Sequence, residues 1–159
     1  MRPLLYAALF SSLSIVCIAG TLQVSTTDAS SDVALVDSLR HIGGEYRWDS
    51  AANRYLFTKK EDMERILALQ DETTGIQTLA NCIDDPRKSD TTLGSKRVAL
   101  GILCYEALTQ LIYYEPTNPN GDIARDWIGY IVPNASIQQL RSAKRAWIKV
   151  IKSGSYKRL

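Results

Sequence analysis

Few residues of this chain could do chemistry, and the carboxylates come first. Glu106 sits inside an apolar run, VALGILCYEALTQLIYY over residues 98–114, and Asp84-Asp85 precede it. Cleavage of a glycosidic bond needs two carboxyl groups roughly 5–9.5 Å apart. Glu106 with Asp84 or Asp85 therefore defines one reading, a hydrolase acting on cell wall or glycan. The plainer reading makes Glu106 an ion pair at the edge of the core, with Arg97 or a C-terminal lysine, since structural ion pairs also perturb carboxylates. No nucleophile elbow, His-based triad, phosphate loop or metal-ligand spacing accompanies these residues. His41 is the single histidine and has no Cys or His near it in sequence. It reads as a helix-end surface residue, so neither a metal nor another cofactor is expected. The balance of these absences favours a non-catalytic protein.

The cysteines carry a second chemistry. There are three, Cys17, Cys82 and Cys104. Residues 1–20, MRPLLYAALFSSLSIVCIAG, place Arg2 before an apolar run and end on small residues, the layout of a secretory signal peptide. The run is shorter than the about 20 apolar residues of a spanning helix, so cleavage is preferred to an uncleaved anchor. Removing this segment removes Cys17 and leaves Cys82 and Cys104 as a disulfide pair in an oxidising compartment, periplasmic or secreted. Geometry argues the other way. Cys82 ends one predicted helix and Cys104 lies about two turns into the next. A disulfide tolerates about 4.4–6.8 Å between Cα atoms, so the helices must cross steeply or the second must start late.

The elements that would position these residues are predicted mainly as helices. Residues 21–31 read as a flexible leader and 32–159 as a single domain. Val33, Val36 and Leu39 recur at helical spacing behind a Ser31 cap, and Gly43-Gly44 stops that helix. Residues 46–58 are aromatic-rich and alternate loosely, which suggests one short β-hairpin. Thr58 and Glu61 fit a capping box for the next helix. Ile76, Leu79, Ala80 and Ile83 share one face of a helix that Asp84-Asp85-Pro86 ends. Residues 87–96 are polar and read as a loop. The apolar run follows as a helix surrounded on most sides, with Gly101 marking a close approach. Ser136 and Gln139 form a second capping box for a last helix closed by Gly154. The fold class expected is mainly α, a small domain of four to five helices.

Residues 61–114 also carry a resemblance. ERILALQDETTGIQTLANCIDD followed by RVALGILCYEALTQL resembles a single HEAT-like helical repeat unit. Leu79 and Ile83 match its first-helix apolar positions; Ala99, Ala107 and Leu108 match those of the second. The match spans one unit where a stable solenoid needs about three, and residues 84–96 are a long turn for this motif. The resemblance implies a helix pair and a protein-binding scaffold, and it carries over no active site.

Charge adds a further surface. Net charge is +2, yet seven of the 19 basic residues lie after Asp126, where no acidic residue occurs. The body is acidic and the tail basic. Arg141, Arg145, Lys149 and Lys152 share one side of the last helix, opposite Leu140, Ala143, Trp147 and Val150. That side is a solvated face balancing the acidic body, or a contact for an anion, a membrane or a partner. Nucleic acid is not expected for an exported chain of such modest charge. The function expected is an exported protein-interaction module. Asp84, Asp85 and Arg87 in the polar turn, and Tyr113, Tyr114 and Trp127, are its expected partner contacts. An immunity or inhibitor protein directed against a toxin is one concrete form of that role.

Overall fold

The computed structural model describes residues 27–159 apart from 71, 118–119, 122–123 and 125–126. The expected signal peptide lies outside the described residues. The elements run α1 (Thr27–His41), β1 (Glu45–Asp49), β2 (Arg54–Phe57), α2 (Lys60–Leu67), α3 (Glu72–Cys82), β3 (Lys88–Leu93), β4 (Lys96–Ala99), α4 (Leu100–Leu111), β5 (Ile112–Tyr113), α5 (Ile137–Ser153) and β6 (Lys157–Arg158). Strands β2-β1-β3-β4 form one mixed sheet, and β5-β6 form a small second one. The fold is therefore α/β, which corrects the mainly α expectation. Helix α1 starts at Thr27, inside the segment expected to be leader.

The hairpin expected over residues 46–58 is β1–β2. It pairs Tyr46 with Phe57 and Trp48 with Tyr55 across an antiparallel ladder. Its turn is closed by Asp49, whose carboxylate accepts from the amides of Ala51 and Ala52. Asn53 takes the left-handed conformation, φ 49°.

The second hairpin, β3–β4, overturns the loop expected over residues 87–96. Its inward side chains are Ser89 and Thr91, both fully buried. Each satisfies its hydroxyl on a backbone carbonyl: Ser89 donates to Val98 at 3.1 Å and Thr91 to Gly43 at 2.6 Å. The alternation that marks a half-buried strand is present, but in hydroxyl residues rather than apolar ones. Strand β3 then pairs in parallel with β1, Glu45 opposite Thr92 and Tyr46 opposite Leu93. His41 joins the same assembly, with Nδ1 2.8 Å from the Asp90 carboxylate.

Helix α4 is the centre of the core. Leu100, Leu103, Cys104, Ala107 and Leu108 are all fully buried. It begins at Leu100 rather than at Val98, because Val98 and Ala99 complete β4. This late start resolves the disulfide geometry. Cys82 and Cys104 are bonded, with Cα atoms 5.7 Å apart. Gly101 permits the approach: a Cβ there would lie 2.0 Å from the Ile83 carbonyl oxygen.

The two predicted capping boxes fare differently. Ser136 accepts from the Gln139 amide while the Gln139 side chain accepts from the Ser136 amide, and α5 ends on left-handed Gly154, φ 66°. Thr58 does not cap α2. The N-cap is Lys59, without a side-chain bond, and the Thr58 hydroxyl accepts from the Glu45 amide at 2.9 Å. Thr58 thus belongs to the hairpin, not to the helix. At the far end β6 returns alongside β5, and the Leu159 amide donates to Leu111.

Candidate binding site

Helix α5 turns Leu140, Ala143, Trp147 and Val150 into the core. The buried Trp147 is fixed from the far side, where its indole N–H donates to the Gly129 carbonyl at 3.0 Å. Any residue could supply that carbonyl, but the close packing of Trp127 calls for glycine at 129. A Cβ on it would fall 2.2 Å from the Trp127 ring, which folds over that backbone. Two indoles are thereby brought edge to face, centroids 5.0 Å apart at 75°. Tyr114, just past β5, lies 5.0 Å from Trp127 and 6.3 Å from Trp147, and Tyr105 of α4 lies 6.3 Å from Trp147. All four spacings fall in the range where tilted rings attract. Burial raises the Tyr105 phenol well above its ordinary pKa, although the Ile131 backbone bonds its oxygen.

These rings form one wall of an open cleft of about 270 Å³. Tyr113 and Tyr130 stand at its mouth, 45% and 68% exposed. Rings that are rigid, amphipathic and accessible on a packed base are the side chains that most often anchor a partner. The expected contacts Tyr113, Tyr114 and Trp127 therefore converge. Tyr105, Tyr130 and Trp147 join them without having been singled out. Their signal was aromatic density between residues 105 and 147, visible only once β5 and residues 127–131 lie beside α5.

The other expected contacts lie apart from this cleft and are engaged in structure. Asp84 accepts from Lys144 of α5 at 2.7 Å. Asp85 holds the Arg87 guanidinium through bonds of 2.9 and 2.6 Å, and that hydrogen bonding keeps its carboxyl below the usual range. The backbone carbonyls of Asp85 and Arg87 accept from Gly101 and Leu100, the first residues of α4. Residues 84–87 thus lock the end of α3 to the start of α4. On their outer side Asp85 and Arg87 border a concavity of about 410 Å³ between α1 and α3.

Glu106 is not paired as either reading expected. Burial raises its carboxyl above the ordinary value, and the charges that oppose this shift are Lys60 and Arg54, not Arg97. Arg97 faces Asp90 instead, at 3.5 Å. Asp84 and Asp85 each hold a cation of their own, Lys144 and Arg87. Tyr46, whose buried hydroxyl has no hydrogen-bond partner among the described residues, feels the same carboxyl. Among the described residues no cluster of three or more His, Cys, Asp or Glu could hold a metal ion.

Arg141, Arg145, Lys149 and Lys152 are all exposed on the outer face of α5. Among the described residues no helix is long and apolar enough to cross a membrane. Comparison with known proteins identifies no relative: no protein family, curated protein or solved structure matches the chain.

Proposed function

We propose that this chain is an exported, non-catalytic protein-interaction module that grips its partner through the aromatic cleft. The observation that carries the reading is the convergence of Tyr113, Tyr114 and Trp127 with Tyr130 over a packed aromatic base. Export, to periplasm or medium, is supported by the signal-like residues 1–20 and by the Cys82–Cys104 bond.

The test is affinity capture from the envelope of the source cells, comparing the native chain with Tyr113→Ala and Tyr130→Ala. Both residues are exposed, so near-ultraviolet circular dichroism should show the aromatic base intact in each variant. A stoichiometric protein captured by the native chain and lost from both folded variants is the expected result. If that protein is an enzyme or toxin that the chain inhibits, the module is an immunity or inhibitor protein. Capture that survives both substitutions would remove the cleft from the interaction. No capture at all would overturn the module.

A further inference from the structure

Tyr130 faces two concavities. On one side it closes the aromatic cleft, and on the other it lines a groove of about 340 Å³ with Ile128, Ser136, Gln139 and Ser142. No described residue lining that groove is charged. Ile128 and Tyr130 are 64% and 68% exposed, so two large side chains with apolar surface stand open to solvent beside polar Ser136, Gln138, Gln139 and Ser142. Two such side chains together need a reason, since scattered ones do not.

The rim of the groove is cationic. Arg145 donates to Ser142, a wall residue, at 3.0 Å, which holds its guanidinium at the edge. Arg141 is one turn earlier on the same exposed side of α5. The first turn of α5 closes the end of the groove and adds the positive pole of a 17-residue helix. Residues 127–159 contain no Asp or Glu; the acidic residues nearest in sequence are Asp122 and Asp126, ahead of Ile128. Asp84, which reaches α5, is taken by Lys144, while Arg141, Arg145, Lys149 and Lys152 make no ion pair with a described residue.

Two exposed apolar side chains beside cations that pair with no described residue set two requirements on what covers them: an apolar anchor and flanking carboxylates. We propose that this groove docks an acidic segment of the partner protein. One apolar side chain of that segment lies against Ile128 and Tyr130, and its carboxylates meet Arg141 and Arg145. Arginine suits the task because its planar fork matches a carboxylate in two bonds. The inference rests on the interaction-module reading and specifies the chemistry of the partner. A bilayer is disfavoured because the site is concave, and because the apolar side of α5 is already buried and cannot insert.

The test uses two short fluorescent peptides of equal length with the same central Leu-Phe anchor. One is flanked by Asp and Glu, the other by Lys and Arg. Binding is read by anisotropy at low and physiological ionic strength. The acidic peptide should bind at least about tenfold more tightly than its twin, and the preference should shrink as salt rises. The double variant Arg141→Glu with Arg145→Glu should abolish the preference, and Tyr130→Ala should weaken both peptides. Equal binding of the twins, a preference untouched by charge reversal, or binding of neither peptide would overturn the proposal. Phosphatidylglycerol vesicles are the third probe. Vesicle binding that is lost on charge reversal, with neither peptide bound, would assign the face to membrane. If envelope capture depends on Tyr113 yet ignores the charge reversal, the acidic segment fails while the interaction module stands.

Discussion

Gly101 lies against the backbone carbonyl of Ile83, so closely that a Cβ would come within 2.0 Å of the oxygen. The obstacle is main chain and cannot rotate away. Gly101→Ala gains about 1 kcal/mol of helix propensity, yet it must push α4 off the end of α3 and strain the neighbouring disulfide. Overpacking of this kind costs about 1–3 kcal/mol, and backbone contact places the change at the upper end. A lowered urea midpoint at unchanged slope is the expected outcome. An unchanged or raised midpoint would mean that the two helices part freely.

The Cys82–Cys104 bond spans a sequence separation of 22 residues. Closing a loop of that size stabilises by about 3 kcal/mol through the unfolded chain. Cys82→Ser should therefore lose as much stability as the double variant that adds Cys104→Ser. Free thiols titrated in the native protein, together with unequal losses, would refute the bridge.

Glu106 gives the molecule a pH dependence with a definite sign. Burial raises its folded pKa, so below the ordinary carboxyl range both folded and unfolded chains hold the proton. As pH rises the unfolded chain releases its proton first, and stability falls until the folded group ionises too. Glu106→Gln should thus be more stable than the native chain at neutral and mildly alkaline pH and should show no such advantage in acid. Equal pH profiles for the two proteins would show that Lys60 and Arg54 cancel the burial.

The two caps should separate experimentally. Ser136→Ala removes a formed capping box and should cost about 1 kcal/mol, with faster amide exchange in the first turn of α5. Thr58→Ala should leave α2 unaffected and speed exchange at the Glu45 amide, because the hydroxyl serves the hairpin. Faster exchange at the start of α2 in Thr58→Ala would restore the helix-capping role.

The helical part of the fold was legible because its signals are local. α5 begins and ends where Ser136, Gln139 and Gly154 place it, and α4 announces itself by an apolar run that continues all around the helix. The hairpin β1–β2 shows through its aromatic alternation. Strand β3 did not, because Ser89 and Thr91 are buried as hydroxyls bonded to carbonyls, and a rule written for apolar side chains cannot see them. Missing β3 hid the sheet and hence the fold class. The aromatic cleft was half visible for a related reason. Tyr113 and Tyr114 end the apolar run and Trp127 follows a turn-rich connector, whereas Tyr105 and Trp147 look like core. They share a wall only because Gly129 lets Trp127 fold onto Trp147.

The disulfide and the parallel pairing also bear on how fast the chain folds. Strand β1 finds its parallel neighbour β3 across α2 and α3, a non-local closure that slows folding. The Cys82–Cys104 bond encloses β3 and β4 and shortens the search for everything between its ends. Once oxidised, the chain tethers the end of α3 to α4 with the β3–β4 hairpin between them. The β1–β2 hairpin then has a shorter search for its parallel partner, so the oxidised chain should refold faster than the reduced one, as stopped-flow fluorescence would show.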